Sequence, residues 1–156
     1  MRIVIRAGTG EGPTAVAAFD AALRSAGVEN YNLIPLSSII PPGSTIERAT
    51  FVTPSDEYGH RLFVVMARCD TQTHGSVAWA GVGWTQEPES GRGLFVEMHG
   101  DSKAGVREAI ETTLRAMMAS RGRRYGPIHC EITGIACRGT PVCAVVIAVY
   151  QSEGWN

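Results

Sequence analysis

A chain of 156 residues, 44% of them hydrophobic, is long enough to bury a core, and we expect a single domain over residues 1–156. Its 14 basic and 15 acidic residues are interspersed and leave a net charge of −1, which argues against nucleic-acid and membrane partners. No apolar run approaches the roughly 18 residues of a membrane span, and the start of the chain does not resemble a signal peptide, so we expect a cytoplasmic protein.

The first part of the chain predicts a strand, a turn and a helix, followed by further strands. Residues 3–6 read as a short strand, and the glycines and proline of residues 7–13 predict a tight turn. A helix is predicted over residues 14–25. Extended segments follow at residues 31–36 and 61–68.

The predicted helix has an apolar stripe of Val16, Phe19 and Leu23. At 100° per residue Asp20 falls between these side chains, so the pattern places its carboxylate toward the core. A carboxylate in that position needs a partner.

The second half predicts four strands and one helix. The strands lie at residues 77–84, 94–98, 128–137 and 142–150, and the helix at residues 102–120. Helices interspersed with mostly antiparallel strands indicate sheets covered by helices.

Strong turn signals at residues 87–93 predict a link between two antiparallel strands. In the strand that follows, Phe95 and Glu97 share a face, because alternate residues of a strand point to the same side. Glu97 therefore lies beside an aromatic ring. Loss of hydration in such a pocket favours a protonated carboxyl, which suits a general acid.

The four cysteines, Cys69, Cys130, Cys137 and Cys143, have neither CxxC spacing nor histidines at zinc-ligand intervals, so we expect no metal site. A hairpin between Cys137 and Cys143 would let the two thiols face each other. In a reducing compartment buried thiols are favoured over a disulfide.

The peptide bond between Ser37 and Ser38 is the most informative feature of the chain. If this bond is strained, the Ser38 hydroxyl can attack the Ser37 carbonyl and shift the acyl group from nitrogen to oxygen. The ester can then eliminate across Cα–Cβ of residue 38, and the resulting dehydroalanine hydrolyses to a pyruvoyl group and ammonia. Two prolines, Pro41 and Pro42, stiffen the backbone that follows. Serine pairs are common in loops, so the pair alone does not establish this reaction.

A set of ordered motifs surrounds this bond, dense over residues 7–45 and recurring at 93–100. They are Gly10-Glu11-Gly12, Ala18-Phe19-Asp20, Ala26-Gly27, Asn30, Asn32-Leu33-Ile34, Ser37-Ser38-Ile39 with Pro41-Pro42, Gly93-Leu94, Glu97 and Gly100. In these residues the chain resembles the pyruvoyl-dependent arginine decarboxylases. The resemblance is loose over the rest of the chain.

This resemblance implies an α+β fold, a four-layer α/β/β/α sandwich of mostly antiparallel sheets covered by helices. It implies self-cleavage between Ser37 and Ser38 into a β chain (residues 1–37) and an α chain (residues 38–156), with a covalent pyruvoyl cofactor made from Ser38. The family's reaction converts L-arginine to agmatine and CO2 through a Schiff base on that group. It also implies a homotrimer, or a multiple of trimers, with the sites at subunit interfaces.

Roles for five residues follow from the resemblance: Ser38 is the pyruvoyl precursor, Ser37 the cleavage site and Glu97 the proton donor. Asp20 matches the family aspartate that receives the substrate's guanidinium. Asn32 matches a family asparagine near the bond, which would orient the Ser37 carbonyl or stabilise its oxyanion. Three of these residues have a plainer alternative. Glu97 would pair with a basic residue at a sheet edge, Asp20 with an internal arginine or a backbone group, and Asn32 with backbone.

Two residues depart from the family pattern. Val16 stands where larger aliphatic residues are common near the guanidinium pocket, and Pro35 interrupts the strand before Ser38. Both leave the preferred amine open. The alternatives are the same chemistry on another amino acid, and a non-catalytic, uncut relative that acts as a binding or regulatory subunit.

Overall fold

The computed structural model describes all 156 residues and contains two helices and nine strands. The strands are β1 (Arg2–Glu11), β2 (Asn32–Pro35), β3 (Ile39–Ile40), β4 (Thr45–Arg48), β5 (Arg61–Thr71), β6 (Val77–Gln86), β7 (Gly93–Gly100), β8 (His129–Ala136) and β9 (Val142–Glu153); the helices are α1 (Ala15–Ala26) and α2 (Lys103–Arg121). A short 3-10 turn covers Ser55–Glu57.

The strands form two sheets that pack face to face. The first sheet has the order β2-β5-β9-β1-β4 and the second the order β3-β7-β6-β8. Neighbouring strands are antiparallel except for the pairs β1–β4 and β2–β5. Between the sheets lies a core that includes Ile3, Ile5, Ile40, Val65, Val82, Phe95, Ala144 and Val146. Helix α1 covers the outer face of the first sheet and α2 that of the second, which confirms the α/β/β/α sandwich.

Capping residues set the ends of both helices. The side chains of Thr14 and Ser102 each accept a hydrogen bond from a first-turn backbone N–H, and Gly27 and Gly122 end the helices with φ of 85° and 59°. Both predicted helices are confirmed with a shift of one residue, because the predicted first residues are N-caps. Neither helix is long and apolar enough to cross a bilayer.

The predicted turn over residues 7–13 is wrong, because β1 continues to Glu11 and includes Gly8 and Gly10. These glycines serve close packing. A Cβ added to Gly8 would lie 2.2 Å from the carbonyl oxygen of Ala22 in α1, and one added to Gly10 would lie 2.4 Å from the nitrogen of the same residue. The strand backbone therefore touches the helix backbone directly.

This close contact decides which face of α1 is buried. Ala18, Ala22 and Ala26 are fully buried, whereas Val16 is 75% exposed. The prediction that Asp20 points to the core is therefore wrong, and its side chain is 56% exposed. A helix that lies against glycines must present its smallest side chains, so the larger residues of α1 lie at the flank or in solvent.

The predicted strands at residues 31–36, 61–68, 77–84, 94–98, 128–137 and 142–150 are confirmed within a few residues as β2, β5, β6, β7, β8 and β9. The turn predicted at residues 87–93 joins β6 and β7 as an antiparallel hairpin, closed by a 2.7 Å hydrogen bond from the Glu87 nitrogen to the Arg92 carbonyl.

All four cysteines are free thiols, and Cys137 and Cys143 are buried. Burial raises the pKa of the Cys143 thiol to about 12, so it stays protonated and unreactive.

The chain crosses from one sheet to the other at Ser37. On one side, the Leu36 nitrogen donates a 2.8 Å hydrogen bond to the Val64 carbonyl in the first sheet. On the other, the Ser38 carbonyl accepts from the Phe95 nitrogen in the second sheet at 2.9 Å. The bond between Ser37 and Ser38 therefore lies between two fixed points on different layers.

Candidate active site

Ser38 is held in a backbone conformation that L-residues avoid. Its φ is 68°, and it is the one residue other than glycine with a positive φ. In the left-handed region the Cβ crowds the following carbonyl, at a cost of about 1–2 kcal/mol. Such strain persists only where the surroundings impose it, and it concentrates at functional sites.

Two hydrogen bonds hold the backbone on the carboxyl side of Ser38. The Phe95 nitrogen donates to the Ser38 carbonyl, and the Tyr150 hydroxyl donates to the next carbonyl, that of Ile39, each at 2.9 Å. Strand β3 then pairs with β7, with Ile39 opposite Leu94. These bonds fix two consecutive carbonyls and, together with the hydrogen bond from Leu36 to Val64 before Ser38, hold the unfavourable φ.

The Ser38 hydroxyl donates a hydrogen bond to Glu97, with Oγ 2.7 Å from Oε1. Alternation along β7 puts Glu97 on the same side as Phe95, as predicted, and Phe95 is completely buried between the sheets. Glu97 is half-buried at the rim of this core. A serine hydroxyl on a carboxylate is the arrangement needed to remove the serine's proton as its oxygen attacks.

Tyr150 belongs to the same cluster, and sequence reasoning missed it. Burial, and then the negative charge of Glu97, raise the pKa of the Tyr150 hydroxyl well above its ordinary value, so it remains a neutral donor. Its ring lies 6.1 Å from that of Phe95. The one signal in the sequence is that a tyrosine ends the apolar run of β9.

The Ser37 carbonyl accepts no hydrogen bond within the chain. Beside it opens a groove of about 430 Å³, lined largely by apolar side chains that include Leu36, Ile39, Phe63 and Tyr150. The bond between Ser37 and Ser38 thus has hydrogen-bonded neighbours on both sides, while the Ser37 carbonyl itself has no donor and Ser37 lines the groove.

Two predicted site residues lie away from this cluster. Asp20 forms a 3.1 Å ion pair with Arg24, one turn further along α1. The Asn32 side chain donates a 2.7 Å hydrogen bond to the Gly59 carbonyl. Neither side chain makes a hydrogen bond with the Ser37–Ser38 segment or with Glu97. Within one chain the structure therefore brings together Ser37, Ser38 and Glu97, but not Asp20 or Asn32.

The chain is similar in sequence to known proteins over almost its whole length. A family model described as pyruvoyl-dependent arginine decarboxylase matches residues 2–153. A protein of Halobacterium salinarum with that name is 38% identical over 152 residues, which cover 96% of this chain and 93% of the relative. Proteins of the same name from Methanothermobacter thermautotrophicus and Thermococcus kodakarensis are 30% and 28% identical over 148 and 149 residues. These cover 94% and 95% of this chain, and 95% and 93% of the relatives.

Proposed function

Because the chain belongs to the pyruvoyl-dependent arginine decarboxylase family, we propose that it cuts itself between Ser37 and Ser38 and then converts L-arginine to agmatine and CO2. The geometry of Ser38 carries this proposal, because its φ of 68° is strained and its hydroxyl lies 2.7 Å from Glu97. The products of cleavage are a β chain of residues 1–37 and an α chain of residues 38–156.

The family's prosthetic group is a pyruvoyl group, and the residues around Ser38 fit one formed from that serine. The side chain from which it forms touches a carboxylate, and the carbonyl that follows it is held by the Phe95 nitrogen. Glu97, Phe95 and Tyr150 would surround the group. It supplies an electrophilic carbonyl that takes up the substrate's amine and accepts the electrons released as CO2 leaves.

Self-cleavage begins with proton removal by Glu97. As the Ser38 hydroxyl loses its proton to this carboxylate, Oγ bonds to the Ser37 carbonyl carbon. The bond from that carbon to the Ser38 nitrogen breaks, and the nitrogen takes up a proton, which leaves an ester. Removal of the Cα proton of residue 38 then breaks the Cβ–Oγ bond and releases Ser37 as a carboxylate. Water replaces the nitrogen of the remaining dehydroalanine and ammonia departs.

The strain at Ser38 assists the first step. About 1–2 kcal/mol of backbone strain is relieved once the amide bond opens, which corresponds to about a five- to thirty-fold gain in rate if the relief is complete at the transition state. The hydrogen bonds from Phe95 and Tyr150 keep the chain from relaxing before the reaction.

The fold tolerates this cut. Residues 1–37 contribute β1, α1 and β2, all of which belong to the first sheet and its covering helix. Strand β1 lies between β9 and β4, and β2 pairs with β5. The cut removes only the link between β2 and β3 and leaves these strand pairings in place, so we expect the two chains to stay together until the protein is denatured.

Two groups then act on the decarboxylation itself. Glu97 returns a proton to the carbon that has lost CO2, which is the role of a general acid. The Phe95 nitrogen donates to the Ser38 carbonyl oxygen, which remains in the α chain after cleavage. A fixed donor at that oxygen stabilises negative charge that builds up on it.

We place the arginine side chain of the substrate against Asp20 of a neighbouring subunit, in a homotrimer or a multiple of trimers. Three observations support this placement. Asp20 makes no bond to Ser38 or Glu97 of its own chain, its side chain is 56% exposed, and it already accepts a guanidinium N–H from Arg24. Planar pairing of a carboxylate with a guanidinium distinguishes arginine from lysine. Asn32, also exposed, belongs on the same interface by this proposal.

The test of this function is release of CO2 and agmatine from L-arginine by purified protein, beside a panel of other basic and aromatic amino acids. Ser38→Ala should leave an uncut, inactive chain. Ser44→Ala is the matched control, because Ser44 is a buried serine of the same segment whose hydroxyl has no hydrogen-bond partner. Normal turnover by Ser38→Ala would contradict the proposed chemistry. Cleavage with CO2 released from a different amino acid would retain the chemistry and reject arginine.

A further inference from the structure

Tyr150 lies at an irregularity in β9. In the pairing of β9 with β5, Gln151 is opposite Phe63 and Val149 is opposite Val64, so Tyr150 has no partner on β5. The pairing of β9 with β1 also ends at Val149. A bulge of this kind interrupts pairing and redirects a side chain, and bulges are enriched beside active sites.

From this position the Tyr150 side chain spans the space between the two sheets. Its backbone belongs to the first sheet, while its hydroxyl donates a 2.9 Å hydrogen bond to the Ile39 carbonyl of β3 in the second sheet. The residue is 8% exposed and its ring packs against Phe95 of β7. The bond therefore joins the two layers one residue beyond Ser38, where the chain has just made the same crossing.

We propose that Tyr150 is a positioning residue for self-cleavage, whose hydroxyl fixes the Ile39 carbonyl and so keeps Ser38 in its strained conformation. Relaxation of the Ser38 φ requires the peptides on its two sides to rotate relative to each other. The hydrogen bond from the Leu36 nitrogen to the Val64 carbonyl holds the chain before Ser38. On the other side, the Phe95 nitrogen holds the carbonyl of Ser38 itself and Tyr150 holds that of Ile39. With only one of them held, the segment can pivot about the remaining hydrogen bond.

Tyr150 acts in this scheme through position and not by proton transfer. The base that faces the Ser38 hydroxyl is Glu97, and no hydrogen bond joins Tyr150 to either residue. A phenol that stays protonated beside a carboxylate suits a permanent donor to a backbone carbonyl. This inference rests on the proposed self-cleavage and adds to it a residue that sets its rate.

The test compares Tyr150→Phe with Tyr31→Phe. Both tyrosines are 8% exposed, and each donates its hydroxyl to one acceptor, Tyr31 to Glu57. Each variant and the wild type are made by cell-free translation, sampled over time, quenched in denaturant and weighed intact. The cleavage rate is expressed per folded chain, with the folded fraction isolated by size exclusion, so a loss of folding does not count as slow cleavage.

Tyr150→Phe should cut about five-fold more slowly than the wild type, a change that corresponds to about 1 kcal/mol, the usual net value of one hydrogen bond. Tyr31→Phe should cut at the wild-type rate even if it is equally destabilised. Wild-type cleavage by folded Tyr150→Phe overturns the inference, as does equal slowing in both variants, which reports a general structural effect. A wild-type chain that never cuts refutes the proposed function itself, which distinguishes the two failures.

Discussion

Replacement of Glu97 by glutamine isolates the role of its charge in the proposed self-cleavage. The variant keeps the size of the side chain and an oxygen able to accept the 2.7 Å hydrogen bond from Ser38. It leaves the hydrogen bonds from Phe95 and Tyr150 in place, so the strained φ of 68° is retained. What it removes is the ability to take the serine proton.

The expected effect follows from these two contributions. A positioned general base is worth about 10²–10⁴ in rate, or about 3–5 kcal/mol in the activation free energy. The strain persists and continues to supply its smaller factor of about five to thirty. Glu97→Gln should therefore cut at least about 100-fold more slowly than the wild type, yet still measurably over long incubation.

The assay is the time course of intact mass after cell-free synthesis. Glu131→Gln is the control, because Glu131 is a half-buried carboxylate of the same sheet that pairs with Arg48. It should cut at the wild-type rate. Cleavage of Glu97→Gln at close to the wild-type rate would refute the assignment of Glu97 as the base, and equal slowing in both variants would indicate a general effect of lost charge.

Three further predictions concern stability. In uncut chains, Ser38→Gly should be more stable to denaturant than Ser38→Ala by about 1 kcal/mol, because glycine tolerates the positive φ; equal stability would mean that the site is not strained. Gly10→Ala should lower the free energy of unfolding by about 1–3 kcal/mol, because its Cβ would lie 2.4 Å from the α1 backbone. Gly100→Ala should leave it unchanged, because the nearest neighbour of its Cβ would be 3.4 Å away, and similar losses in the two variants would contradict the close packing. A hydrogen bond from Tyr31 holds the pKa of Glu57 below its ordinary value of 4.5, so this carboxylate adds stability above that pH and loses it as the pH falls through the lower folded value. In thermal unfolding, Glu57→Gln should be less stable than the wild type at neutral pH and equally stable in acid. The same stability difference at both pH values would refute this.

Local patterns account for what the sequence predicts well. The N-cap and C-cap residues of both helices are adjacent to the elements they limit, so their positions are set by short-range chemistry. Alternation along β7 places Glu97 beside Phe95, and a strand cannot change that relation. The Ser37–Ser38 bond, with the family motifs around it, indicates the site, and Ser38 and Glu97 meet there although they are 59 residues apart.

The face of α1 could not be predicted, because it depends on the strand beneath the helix. The periodicity predicts burial of the stripe formed by Val16, Phe19 and Leu23. The glycines of β1 instead bring the two backbones so close that only alanines fit between them. Asp20 consequently points outward. The proposed contact of Asp20 with a neighbouring subunit depends on assembly, about which helical periodicity carries no information.

Tyr150 and the crossing between the sheets were also beyond local patterns. The residue lies 111 positions from the carbonyl that it holds, and its bulge follows from the pairing of two distant strands. Strand β3 has only two residues and precedes two prolines, so no periodicity marks it. The strain at Ser38 arises where these long-range constraints meet.

The most direct test of the account is the intact mass of the purified protein under denaturing conditions. The account predicts two fragments, residues 1–37 with an ordinary carboxyl terminus and residues 38–156 with a pyruvoyl group in place of an amino-terminal serine. A single unmodified chain of 156 residues that stays intact on prolonged incubation would contradict it.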